Sequence, residues 1–232
     1  MIVTGRDAAA LERAGDDMRD TGHSVWTEAG DVTDDSYVER LVAGAIERWG
    51  HVDVLCNNAA FSDPATFLEL SREQWDRVIG VALTAPFVLS QRVARHIVEA
   101  GRGVILNISS IAAHGADGNT NYAAAKTGLL SLTRDIAAEL GPSGVRCVAV
   151  SPGWVDTPMM EEHIPGEMLE ALRSGKFDRV PIGRLITIEE VAATCAFLAS
   201  DEASGITGCE VLVDGGMVNT LHVIPTLAHL PV

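Results

Sequence analysis

The chain has 232 residues, 47% hydrophobic and 21% charged, which suits one globular domain with a substantial core and excludes a disordered polypeptide. Its 17 Lys and Arg against 32 Asp and Glu give a formal net charge of −15, which argues against a nucleic-acid partner, because phosphate recognition needs clustered cations. No apolar run approaches the ~18 residues of a membrane span, and the N-terminus lacks the serial regions of a secretion signal. Cys56, Cys147, Cys195 and Cys209 show no C-x-x-C spacing. They read as reduced, mostly buried thiols of a cytoplasmic protein, with neither a disulfide set nor a metal site.

In chain order, Ile2–Val3 reads as the end of a strand, and residues 7–22 as a helix with Ala8, Leu11 and Met18 on one side. Ser24–Glu28 is strand-like, and Asp34–Trp49 is a helix with Tyr37, Leu41 and Ile46 as apolar positions. Val52–Cys56 is apolar almost throughout, as a strand buried on both faces should be. Residues 71–99 carry a long helical pattern with a break predicted near Thr84–Pro86. Strands follow at Gly103–Ile108, Arg146–Val150 and Glu210–Val213, and helices at Asn121–Leu140 and 188–200. This alternation predicts βαβ units and an α/β domain with a parallel sheet covered on both faces. Residues 1–232 read as a single domain. Within it, the Met-, Glu- and Pro-rich segment 156–185 is a candidate substrate lid, and 218–232 is a tail with an apolar stretch at 220–227.

Tyr122 and Lys126, in Y-A-A-A-K, lie one helical turn apart on one face of a predicted helix. A phenol with a pKa of about 10 is a poor acid/base at neutral pH, and a nearby ammonium favours the phenolate. Twelve residues before Tyr122, Ser110 ends the strand V-I-L-N-I-S-S, where α/β sheets bind ligands. A hydroxyl there can hold a substrate oxygen, and Ser109 competes with Ser110 for the role.

These segments, with S-P-G-W-V-D-T-P-M at 151–159 and V-D-G-G at 213–216, resemble the short-chain dehydrogenase/reductase family. D-V-T-D at 31–34, L-C-N-N-A-A at 55–60 and F-L-A-S-D-E-A-S-G-I-T-G at 197–208 extend the resemblance in order over residues 2–217. It implies a Rossmann-like doubly wound parallel sheet, and hydride exchange between NADP(H) or NAD(H) and a carbonyl or alcohol carbon. By the same resemblance Ser110, Tyr122 and Lys126 are the catalytic set. Asp31 and Val32 lie beside the adenine, and Asn58 and Ala59 against its ribose. Pro152, Gly153, Val155 and Thr157 hold the carboxamide, with Tyr122 and Lys126 also touching cofactor. Arg6, after the first strand, points to NADP through a 2′-phosphate. His114, Trp154 and Met159, with Phe61 and Met160, are expected to line an apolar substrate pocket. The family also pairs through helices near 75–99 and 121–140, which implies a homodimer or homotetramer.

Two departures qualify the resemblance. The chain aligns from the family's second strand, so the first βα unit and its T-G-x-x-x-G-x-G loop are expected to be missing, leaving a gap in the middle of the sheet. Ala82 stands where the family carries an Asn that relays protons through water. The leading expectation is an NADP(H)-dependent oxidoreductase interconverting a small, mostly apolar alcohol and ketone. The alternatives are a cofactor-independent isomerase, dehydratase or cyclase on the same scaffold, and an inactive subunit.

Overall fold

Strand and helix alternate as the periodicity predicts, and every strand pair is parallel. The computed structural model describes residues 1–115, 118–157, 160–161, 164–174 and 180–220. The candidate tail beyond Thr220, and with it most of the apolar stretch at 220–227, lies outside them, as does Met159.

The strands form two sheets. β1 (Ile2–Gly5) pairs with β2 (Trp26–Ala29), and β3 (Val54–Asn57), β4 (Gly103–Ile108), β5 (Val145–Pro152) and β6 (Glu210–Val213) pair in that order. Among the described residues no strand joins β1 to β3. The two sheets are held together by a helical layer instead. Tyr37, Val38 and Leu41 of α2 (Asp35–Trp49) and Leu89 of α4 (Ala85–Ala100) form one cluster that takes Ile2 of β1 and Leu55 of β3. Tyr37 also donates to the Glu28 carbonyl across 2.7 Å. Its ring lies so close to Gly30 that a Cβ there would stand 2.0 Å from it, so a side chain at that turn would unseat the tyrosine.

Here the structure corrects the expectation for β3. Val54 is 41% exposed and Cys56 is exposed as well, where a strand buried on both faces was expected. β3 is an edge strand of its sheet, whereas α7 (Ile188–Ala199) packs against β4, β5 and β6. Cys209 is exposed too and Cys195 is half-buried, so of the four thiols, expected to be mostly buried, only Cys147 is.

Helix boundaries follow local chemistry. Asp7 caps α1 (Ala8–Asp20) by accepting from the amides of Ala9 and Ala10, and Asp34 caps α2 through Ser36 and Tyr37. Ser71 with Gln74, and Thr187 with Glu190, form capping boxes on α3 (Arg72–Ile79) and α7. The break predicted near Thr84–Pro86 does not occur. Gly80–Thr84 widens into a π-helical turn that joins α3 to α4, and the wider turn accommodates Pro86, which has no N–H to donate, at the second position of α4.

The core has two layers around the second sheet. Ile105 and Cys147 meet Val93, Ile97 and Ala137 on the α4 and α5 (Thr120–Leu140) side. Val104, Leu106, Val148 and Val150 meet Leu198 of α7 on the other. Between the layers a polar thread is fully internal. The Asn57 amide donates to Ser90 Oγ at 3.0 Å and to Asn107 Oδ1 at 2.8 Å, and Asn107 donates to Thr133 Oγ1 at 2.9 Å. It ties β3 and β4 to α4 and α5 just behind the carboxyl ends of the strands.

The segment 156–185 carries α6 (Gly166–Arg173). Leu169 and Leu172 of that helix bury against Met160, Val180 and Leu185, with Trp154, Ile164 and Met217 at the margin. Arg173 pairs with Asp156 at 2.8 Å and with Glu161 at 2.9 Å.

Candidate active site

The rim, made of the segments that follow the carboxyl ends of β1, β2, β3 and β4 and of the end of β5, carries most of the described residues singled out from sequence for chemistry. At its centre, α5 starts beside the end of β4. Asn121, 1% exposed, accepts from the Tyr122 amide at 2.8 Å and donates to the carbonyls of Asp63 and Gln74 at 3.3 and 3.4 Å. This stitches the start of α5 to the loop after β3 and to α3, and so fixes where Tyr122 stands. Sequence reasoning missed Asn121, because its partners are about fifty residues away in the chain.

Lys126 is 2% exposed, and its ammonium donates to the Ile108 carbonyl at 2.6 Å. The same nitrogen lies 5.3 Å from the centre of the Tyr122 ring. Burial depresses the Lys126 pKa to about 8, because removing an ammonium from water disfavours the charged form. A phenolate beside it would offset that penalty.

The two serines diverge. Ser109 is 3% exposed, and its hydroxyl turns inward to the Lys126 carbonyl at 3.0 Å. Ser110 is half-buried and caps the 3₁₀ turn Ile111–Ala113, its oxygen accepting from the Ala112 amide at 3.2 Å. That bond uses a lone pair and leaves the Ser110 hydroxyl hydrogen available to donate.

Ala82 is 1% exposed within the π-helical turn. The turn therefore persists without an amide side chain at that position.

At the other end of the rim, Asp31 follows β2. Its carboxylate accepts from the hydroxyl and amide of Thr33, which hold its pKa below the usual carboxylate range, and the Arg6 guanidinium adds to the effect. Val32 packs under α2, whereas Asn58 and Ala59 are exposed after β3. Arg6 and Arg77 stand 6.0 and 5.8 Å from the centre of the Phe61 ring, so Phe61 joins the Arg6 end of the rim and not the serine end.

Pro152, at the end of β5, and Gly153, Val155 and Thr157 after it are all half-buried. A Cβ on Gly153 would stand 2.8 Å from the Asp214 backbone, so only glycine lets this segment pass β6. Asp214, 5% exposed, accepts from the amides of Gly216 and Val218 at 2.8 and 2.7 Å and closes the turn after β6. Met160, expected in the pocket, is 9% exposed in the α6 cluster, with Trp154 half-buried at its margin. The His114 imidazole reaches Glu210 of β6 at 2.8 Å.

The residues fit a nicotinamide dinucleotide in their chemistry. A buried ammonium and a phenol stand at one end of the rim, and a cation faces a low-pKa carboxylate at the other. The chain contains no G-x-G-x-x-G segment to meet a pyrophosphate. Among the described residues no helix is long and apolar enough to cross a membrane.

Comparison with known proteins agrees with this geometry. The family model described as Enoyl-(Acyl carrier protein) reductase matches residues 1–218. The chain is 39% identical over 218 residues to cis-4-hydroxycyclohexanecarboxylate dehydrogenase of Sinomonas cyclohexanicum, covering 93% of this chain and 85% of that protein. It is 38% identical over 188 residues to the 3-oxoacyl-(acyl-carrier-protein) reductase FabG of Thermotoga maritima, covering 81% and 74%. A crystal structure of a single-residue variant of actinorhodin polyketide ketoreductase with NADPH superposes with a TM-score of 0.88 at 33% identity, covering 94% of this chain and 87% of that one. Fold, rim and relatives together place this chain in the short-chain dehydrogenase/reductase family, as an oxidoreductase of that type.

Proposed function

We propose that the protein interconverts a small, mostly apolar alcohol and the corresponding ketone with NADP(H). The observation that carries this reading is the buried Lys126 ammonium, fixed on Ile108 and 5.3 Å from the Tyr122 ring centre at the mouth of β4. When bound, the dinucleotide supplies or accepts the hydride. Tyr122 gives its phenolic proton to the carbonyl oxygen in reduction and withdraws it in oxidation. Lys126 stabilises the phenolate between these events and binds the nicotinamide ribose. Ser110 donates its free hydroxyl hydrogen to the same substrate oxygen and holds it in line with Tyr122.

Pro152, Gly153, Val155 and Thr157 hold the carboxamide. Asp31, Val32, Asn58 and Ala59 surround the adenosine. Arg6 faces the 2′-phosphate and sets the preference for NADP(H) over NAD(H). Trp154 and His114 border the substrate, and α6 covers it. A second copy binds along α4 and α5, where Phe87 is 47% exposed, to give a homodimer or homotetramer.

The test is titration of NADPH into the purified protein by fluorescence and calorimetry, followed by turnover on a panel of ketones. Binding in the micromolar range with NADPH oxidation is expected. Absence of NADPH binding sinks the proposal.

The second reading is proton-transfer chemistry without a dinucleotide, by the same Ser110, Tyr122 and Lys126. Ala82, which offers no amide to a proton relay, favours it. Isomerisation or dehydration of a substrate at a rate indifferent to added NADPH would establish it.

A further inference from the structure

Glu210 begins β6, at the opposite edge of the sheet from β3, on the face away from Val211 and Val213, and its carboxylate joins two segments. Its Oε1 meets the His114 imidazole at 2.8 Å and accepts from the hydroxyl of Ser151, which is fully buried. The Glu210 and His114 side chains are 20% and 31% exposed. Neither contact follows from the sequence, since the partners lie 96 and 59 positions from Glu210.

Each partner ends a segment that bears on the reaction. His114 closes the 3₁₀ turn that Ser110 opens: the Ala113 amide donates to the Ser110 carbonyl at 3.0 Å, and the His114 amide to that of Ile111 at 2.9 Å. The turn is otherwise tied to α5 by Thr127, whose hydroxyl reaches the Ala113 carbonyl at 3.2 Å. Ser151 immediately precedes Pro152 and Gly153 and belongs to β5. One carboxylate oxygen therefore spans the substrate side and the carboxamide side of the rim.

We propose that Glu210 is a positioning residue. Through His114 it holds the Ser110 turn, and through Ser151 it fixes that turn relative to the Pro152–Thr157 segment. Glu210 touches neither substrate nor cofactor and acts through Ser110. This inference rests on the reading of Ser110 given above, and its mechanical half stands without it.

Two measurements test it. Hydrogen exchange followed by mass spectrometry on the dinucleotide-free protein reads the hold directly. Glu210→Ala should raise exchange at least fivefold in peptides spanning 110–115 and 151–157, with the strand β4 unchanged. Glu210→Gln keeps an acceptor oxygen and should restore most of the protection. Equal protection in wild type and Glu210→Ala overturns the proposal.

The second measurement is a double-mutant cycle on ketone reduction. Glu210→Ala alone should lower kcat about tenfold with the KM for NADPH within twofold. In a Ser110→Ala background the same change should cost less than twofold, because the group it positions is gone. Fully additive losses, or a loss confined to the KM for NADPH, overturn the action through Ser110. If wild type shows no turnover with NADPH, the functional reading falls, and the exchange measurement alone decides the hold of Glu210.

Discussion

The Lys126 ammonium donates to the Ile108 carbonyl across 2.6 Å, so the last residue of β4 fixes the cation beside Tyr122. Sheet and helix thus meet at one hydrogen bond, and the bond explains why a charge is kept where burial opposes it.

That conflict is measurable. Lys126 has its pKa lowered from 10.5 to about 8 by burial. Below pH 8 both folded and unfolded chains carry the proton, and the burial penalty is fully present. Between 8 and 10.5 only the unfolded chain carries it, so stability rises with pH across this window, by about 3 kcal/mol in all. Cys147, pushed up by burial to about 12, acts in the opposite direction above pH 9. The difference between wild type and Lys126→Met isolates the lysine. Lys126→Met should abolish turnover, raise the melting temperature at pH 7 and lose that advantage toward pH 10, as followed by calorimetry.

Tyr122→Phe removes the proton and keeps the ring beside Lys126. kcat should fall by about 10²–10⁴-fold, the usual contribution of a placed acid/base, while NADPH affinity changes little. Stopped-flow turnover with parallel calorimetry separates the two. A variant retaining a third of wild-type kcat would remove Tyr122 from the reaction.

Arg6 is exposed and lies within reach of both Asp31 and the Phe61 ring. Arg6→Ala should raise the KM for NADPH about tenfold and leave the KM for NADH nearly unchanged. Equal effects on both dinucleotides would assign Arg6 to general electrostatics and not to a 2′-phosphate.

Asn107→Leu cuts the internal polar thread. It takes one hydrogen bond from the Asn57 amide, which keeps Ser90, and one from the Thr133 hydroxyl, which keeps the Leu129 carbonyl, at a cost of about 1 kcal/mol for each lost bond. The urea midpoint should fall accordingly with the slope unchanged. A shift below ~0.5 kcal/mol would mean that water takes over these bonds.

Much of the fold was legible because its signals are local. Asp7, Asp34, Ser71 and Thr187 announce helix starts, since a cap needs only an oxygen within three residues of the amide it serves. Short strand-like runs located all six strands among the described residues. Burial of β3 was misread, because a run such as V-D-V-L-C carries no mark of whether a strand lies alongside it. The predicted break in the helical pattern failed for a related reason. Pro86 disfavours helix at the preceding residue, but a single π-helical turn absorbs the conflict at Gly80–Thr84.

At the site, sequence by itself determined the residue types and one spacing. Tyr122 and Lys126 share a helix face because an α-helix returns to the same side after four residues. Ser109 and Ser110 were indistinguishable there. Only the tertiary structure separated them, because a serine's access depends on whether its hydroxyl finds a partner inside, and Ser109 finds the Lys126 carbonyl. The burial that depresses the Lys126 pKa, the seat of Asn121 under Tyr122 and the meeting of His114 with Glu210 were likewise decided by contacts between distant segments. A hydrogen bond between such segments costs the chain its freedom once, at folding, and leaves no periodic trace in the order of its residues.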